Sequence, residues 1–213
     1  MSANTAFIMV VIAAYLLGSL SGSLLLGRLR GVDIRNSGSG NAGGTNAFRT
    51  QGLLFAVGVV LIDLGKGAVA AGLLPGWIAS APANPGLAAA AGVAAIVGHL
   101  YPVFFGFRGG KGAATLAGAV LVLAPQALAI MLAGWLIVIL LTGYVGLATM
   151  LVALANIFVM QHIAPPESAQ AYAGFSVVSA LLVVFAHRGN IQRLIRGDEY
   201  CFQRAKLSRF WRR

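Results

Sequence analysis

Residues 112–161, GAATLAGAVLVLAPQALAIMLAGWLIVILLTGYVGLATMLVALANIFVMQ, run for fifty positions without a charged side chain. As one helix this stretch would be about 75 Å long at about 1.5 Å per residue, against a hydrocarbon core of about 30 Å. It must therefore be divided. Pro125 cannot donate to a helix passing through it, and the glycine of Thr142-Gly143 tolerates a reversal of the backbone, so both are predicted break points. The sequence then reads as three short spans near 112–124, 126–141 and 145–161.

Outward from this stretch, apolar runs near 6–27, 53–74, 87–105 and 171–187 supply four more spans, seven in all. The charges support an odd number. All 15 Lys and Arg lie at Arg28 to Arg49, at Lys66, at Arg108 with Lys111, and from Arg188 to the end, whereas 1–27, 74–86 and 162–171 carry none. Under the positive-inside rule the basic clusters face the cytoplasm, the N-terminus lies outside and the C-terminus inside. A five-crossing arrangement with a re-entrant or interfacial piece in 112–161 satisfies the same parity.

Composition agrees with a chain whose solvent is lipid: 59% of residues are hydrophobic and 9% charged, and mean hydropathy is +0.86. The expected fold class is an all-α polytopic integral membrane protein, a single domain over 1–213 whose basic end, 204–213, is either an interfacial anchor or disordered. The first apolar run lacks a basic preceding region and is read as a retained span rather than a signal peptide. Many of the 28 glycines are expected to serve close helix packing. One cysteine, Cys201, excludes an internal disulfide, and His99, His162 and His187 with five acids give no metal-ligand spacing, so no metal or cofactor is expected.

Polar chemistry gathers in three places on the predicted cytoplasmic side. The first is Gly38-Ser39-Gly40-Asn41-Ala42-Gly43-Gly44-Thr45-Asn46, flanked by Arg35 and Arg49. Glycines let backbone N–H groups converge on an anion, hydroxyls and amides add donors, and arginine adds charge. The second joins Gly98-His99 to Gly109-Gly110-Lys111-Gly112 and Thr115, a glycine-rich turn opening a helix whose free N–H groups and Lys111 favour an anion. It lacks Walker A spacing, and an ordinary charged turn anchoring the topology is its plainer reading. The third is His187-Arg188-Gly189-Asn190 with Gly197 and Glu199, where His187 and Asn190 share a helix face. Asp63 and Lys66, one turn apart inside a span, either pair structurally or send the lysine toward the phosphate site; an ion near the bilayer centre costs about 2.5 to 3.5 kcal/mol and demands one or the other.

Taken together, Tyr15-Leu16-Leu17-Gly18-Ser19, Asp33-Ile34-Arg35, Gly38-Ser39-Gly40-Asn41, Thr45-Asn46, Arg49, Asp63 with Lys66-Gly67, Gly98-His99 to Thr115, and His187 to Glu199 resemble the bacterial membrane acyltransferases of PlsY type. That family moves an acyl chain from acyl phosphate to glycerol 3-phosphate, the first acylation of phospholipid synthesis. Gly44 stands where alanine is usual and Ser21 where proline is common, departures that touch stiffness more than chemistry.

The resemblance implies seven membrane helices in the bacterial inner membrane, an active site at the cytoplasmic face, and glycerol 3-phosphate, acyl phosphate and membrane lipid as partners. Neither nucleic acid nor an obligate protein partner is implied. The expected phosphate-binding set is Gly38, Ser39, Gly40, Asn41, Gly43, Thr45, Asn46, Arg49, Lys66, Gly109, Gly110, Lys111, Gly112 and Thr115. The expected catalytic set is His187, Asn190, Ser39, Arg49 and Lys111, with His99, Asp63, Arg188 and Glu199 as further candidates. No His-x-x-x-x-Asp occurs, no Gly-x-Ser-x-Gly elbow and no reactive cysteine motif, so direct attack of the 1-hydroxyl on the acyl carbonyl is expected. The base is either His187 or the substrate's own phosphate. The competing class is a transporter of a phosphorylated metabolite, which would carry polar residues across to the outer face, where Glu167 is the one charge.

Overall fold

Apolar runs with no water to satisfy the backbone must close their hydrogen bonds locally, and helices do this. The computed structural model describes residues 2–79 and 84–203, and its regular structure is helical: α1 (Ala3–Gly18), α2 (Gly22–Leu29), α3 (Gly44–Gln51), α4 (Leu53–Gly72), α5 (Leu74–Ala79), α6 (Pro85–Leu100), α7 (Ala113–Leu123), α8 (Pro125–Thr142), α9 (Val145–Ile163), α10 (Ala169–Ala186) and α11 (Arg188–Arg196). The long uncharged stretch is three helices, as expected. Pro125 opens α8, where its missing N–H costs nothing, and Gly143 ends that helix in the left-handed region at φ 77.

The first span departs from the expectation. The run 6–27 is not one helix: α1 and α2 are bent by 46° at a break over Ser19 to Ser21. The cause lies in another helix. Lys66 Nζ on α4 donates to the Leu20 carbonyl at 3.1 Å, and Gly22 N–H donates to Asp63 Oδ1 at 3.1 Å. Backbone groups released by the break are thus satisfied by an ion pair, Lys66 Nζ to Asp63 Oδ1 at 3.0 Å, joined by His99 Nδ1 at 2.9 Å from the lysine and 3.4 Å from the carboxylate. All three side chains are buried. Lys66 is therefore the structural member of a buried cluster. It does not reach a phosphate site.

Close packing of small residues sets the rest of the bundle. A Cβ on Gly67 would lie 2.1 Å from the Thr115 carbonyl oxygen, and one on Gly118 would lie 1.9 Å from that of Leu64, so α4 and α7 touch backbone to backbone. Around this contact Ile96, Leu116, Val120, Met131, Met160, Phe175 and Val183 form the main core, drawn from α6 to α10. Among the described residues five helical segments have the length and hydropathy to cross a membrane: Leu53–Ala79, Pro85–Phe105, Pro125–Thr142, Val145–Ile163 and Ala169–Ala186. The bent pair of α1 and α2 passes the same test as one span, while α7, apolar but only 11 residues long, does not reach it. The chain is a multi-pass helical membrane protein.

Candidate active site

Three polar segments far apart in sequence meet at one end of this bundle. In the first, Gly38 and Gly40 have φ of 60 and 71, and the loop closes on Asn46, whose Oδ1 accepts Ser39 N–H at 2.9 Å. Asn46 Nδ2 donates to the carbonyls of Ile34 at 3.0 Å and Ser37 at 3.1 Å. With both amide hydrogens spent and the side chain buried, Asn46 shapes the loop and offers no donor to a ligand. Arg35 is likewise consumed: it pairs with Asp33 at 2.7 Å and donates to the carbonyls of Phe105 and Arg108, tying this loop to the next. Ser39 and Thr45 stay exposed, and Gly43 caps α3, on which Arg49 is exposed.

In the second segment the helix α6 ends at Leu100, so His99 lies in its last turn. Gly109 N–H donates to the Leu100 carbonyl and Gly110 N–H to that of His99, each at 3.1 Å. Those two N–H groups are therefore turn bonds, contrary to their expected role on an anion. The two glycines serve by being small: a Cβ on Gly110 would lie 2.2 Å from His99 Nε2 and 2.8 Å from the Ala42 carbonyl oxygen, which also shows the first loop crossing here. Gly112, at φ 82, starts α7 and leaves Lys111 at its mouth. Thr115 is fully buried with its hydroxyl unpartnered, so it faces the interior of the bundle.

Both strands of this geometry end on the third segment. Lys111 Nζ donates to Asn190 Oδ1; Asn190 Nδ2 donates to Glu199 Oε1 at 2.7 Å, and Arg193 Nε to Glu199 Oε2 at 2.7 Å. Gly146 permits this, because a Cβ there would lie 2.7 Å from Asn190 Nδ2. Burial, then the nearby Arg193 charge, lowers the Lys111 pKa to about 8. His187 stands at the junction of α10 and α11, so the helix leaving the bundle is interrupted there rather than continuous. Its Nδ1 lies 2.8 Å from the Val183 carbonyl. A carbonyl only accepts, so Nδ1 carries the proton and Nε2 holds a lone pair. Burial first, then the Lys111 charge, lowers its pKa to about 4, which keeps the ring neutral near pH 7. Arg188 turns away and lies 4.6 Å over the Phe185 ring.

The sequence model of the glycerol-3-phosphate acyltransferase family matches residues 8–197. The chain belongs to that family. A glycerol-3-phosphate acyltransferase of Pseudomonas savastanoi pv. phaseolicola is 45% identical over 191 residues, covering 89% of this chain and 94% of the relative. One from Halalkalibacterium halodurans is 42% identical and covers 93% of this chain and 96% of its own length. Among solved structures, PlsY (YgiH), an integral membrane glycerol 3-phosphate acyltransferase crystallised in its glycerol 3-phosphate form, superposes with a TM-score of 0.82 at 35% identity, over 92% of this chain and 95% of that one. A lysophosphatidic acid form of the same protein gives the same TM-score.

In this acyltransferase the structure gathers Ser39, Arg49, Lys111, His187, Asn190 and Glu199 at one end. It sets Asp63, Lys66 and His99 apart as a buried cluster behind the Gly110 turn. Two partners escaped sequence reasoning as site residues. Arg193 shares Glu199 with Asn190, and the Tyr200 ring lies 3.8 Å beneath the Arg49 guanidinium. Arg193 three residues beyond Asn190 was the available signal; Tyr200 left none. Among the described residues no group of three or more His, Cys, Asp and Glu could hold a metal ion.

Proposed function

We propose that this glycerol-3-phosphate acyltransferase takes its acyl group from acyl phosphate and passes it to the 1-hydroxyl of glycerol 3-phosphate, giving lysophosphatidate and inorganic phosphate. The observation that carries the reading is the string Lys111, Asn190, Glu199 and Arg193 beside a neutral His187. Such a site places cations where two phosphorylated substrates would meet and supplies one basic nitrogen.

Among the described residues no histidine hydrogen-bonds a serine or the cysteine, so no nucleophile is activated there for an acyl-enzyme. The hydroxyl oxygen forms the new ester bond to the acyl carbon, the bond from that carbon to the phosphate oxygen breaks, and phosphate departs with its charge met by Lys111. The hydroxyl proton passes to His187 Nε2 or to a phosphate oxygen. Because acyl phosphate is already activated, positioning and charge stabilisation suffice. Ser39, Asn41 and Thr45 with Arg49 form the outer wall for a substrate phosphate, and Asn190 helps to orient the nucleophile.

The same reading makes 1–213 one domain of seven crossings, with α7 as the short seventh. It puts the N-terminus outside and the polar end at the cytoplasmic face of the inner membrane. The loops at that end carry the basic clusters, while the opposite loops carry none.

Purified protein given radiolabelled glycerol 3-phosphate with either acyl phosphate or acyl-CoA tests the donor. The expected result is labelled lysophosphatidate from acyl phosphate and none from acyl-CoA. Product from acyl-CoA alone would overturn the donor, and uptake of label into proteoliposomes without acylation would favour a transporter.

A further inference from the structure

Residues 198–203 lie beyond the stretch that the family's sequence model matches, 8–197, yet they touch the first and third polar segments and the turn between α8 and α9. Gly197, in the left-handed region at φ 78, ends α11, and Asp198 N–H donates back to the Arg193 carbonyl at 3.0 Å, which turns the chain across the bundle end. Glu199 then holds Asn190 and Arg193. Past it, Cys201 donates to the Thr142 carbonyl at 3.6 Å and Phe202 N–H to that of Gly143 at 2.9 Å, fixing the segment to the turn between α8 and α9. Phe202 stands edge-on to Tyr200, with centroids 4.8 Å apart at 82°, and lies 6.4 Å from Phe48 on α3. Tyr200 is thereby held between two anchors, with its face under Arg49 at 3.8 Å.

We propose that Tyr200 is a positioning residue: the clasp 197–203 presents its ring as the platform that holds the Arg49 guanidinium at the substrate-phosphate end of the site. This rests on Arg49 being a ligand for that phosphate. Among the described residues Arg49 has no carboxylate partner. A cation held on a ring face keeps its N–H donors for an anion, whereas one held by a carboxylate spends them there. A long, exposed arginine side chain would otherwise sample many rotamers, and the ring removes that freedom before substrate arrives.

Steady-state kinetics of the purified full-length protein test the proposal. Tyr200→Ala is expected to raise the KM for glycerol 3-phosphate about fivefold, the scale of a lost, partly exposed cation–π contact, with kcat within about twofold of wild type. Tyr200→Phe, which keeps the ring face, restores the wild-type KM. Adding Tyr200→Ala to Arg49→Ala raises KM no further, since the ring acts through the guanidinium. KM does not depend on the folded fraction, so a variant that merely folds poorly loses yield without moving it. An unchanged KM in Tyr200→Ala, or a fall in kcat alone, overturns the platform while a raised KM in Arg49→Ala leaves the phosphate reading standing. An unchanged KM in Arg49→Ala overturns the phosphate reading itself.

Discussion

At Lys111, burial and the Arg193 charge bring the ammonium pKa to about 8, so the cation expected to meet phosphate is fully charged only below that pH. His187, lowered to about 4, is neutral from pH 5 upward and adds no further change there. The sign of the pH dependence follows. As pH rises through 8 the free enzyme loses a positive charge, and kcat/KM for glycerol 3-phosphate is expected to fall about fivefold between pH 8 and pH 9. Lys111→Arg keeps its charge throughout that range, so its profile, though lower overall, should stay flat from pH 8 to pH 9. An equal fall in both proteins would assign the limb to some other group. Asn46 makes a complementary point at the same scale. Its type and place suggested a phosphate donor, but an amide with two hydrogens can satisfy only two carbonyls, and Ile34 and Ser37 take both.

Among the helices, what divides α4 from a generic apolar span is where its glycines look. A Cβ on Gly65 would meet nothing within 4 Å, whereas one on Gly67, two residues on, would press on the Thr115 carbonyl at 2.1 Å. Gly65→Ala is expected to stabilise the protein by about 0.5 to 1 kcal/mol through the ordinary helical advantage of alanine. Gly67→Ala must push α7 away, and thermal unfolding in detergent should show a lower midpoint together with lower activity, because α7 begins at the Lys111 turn. Equal midpoints for the two variants would refute the close α4 to α7 contact. Helix ends governed by local chemistry were legible in the sequence: Pro125 and Gly143 fall where the donor inventory and the left-handed backbone require. The break over Ser19 to Ser21 was not, because what permits it is Lys66 and Asp63 arriving from α4 to satisfy Leu20 and Gly22. For the same reason the buried cluster, rather than an exposed lysine, was one of two open readings until packing chose between them.

Over the whole molecule, function depends on four turns sharing one end of a bundle: Arg35 bonds the turn at Phe105 and Arg108, Lys111 bonds Asn190, and Phe202 bonds Gly143. The co-location of the three polar segments was legible from charge parity alone, since each follows or precedes a span on the predicted basic side. The clasp that locks them together was not, because Tyr200 and Phe202 carry no motif and act only through the neighbours that folding gives them. Under the proposed function this end of the bundle transfers an acyl group directly between two bound phosphorylated substrates, without storing it on the protein. Rapid mixing of the purified enzyme with acyl phosphate, following phosphate release with and without glycerol 3-phosphate and weighing the quenched protein, tests it most directly. Direct transfer gives no phosphate burst and no gain in protein mass until glycerol 3-phosphate is added, then one phosphate per lysophosphatidate. A stoichiometric burst of phosphate without acceptor, with the protein heavier by one acyl group, would contradict it.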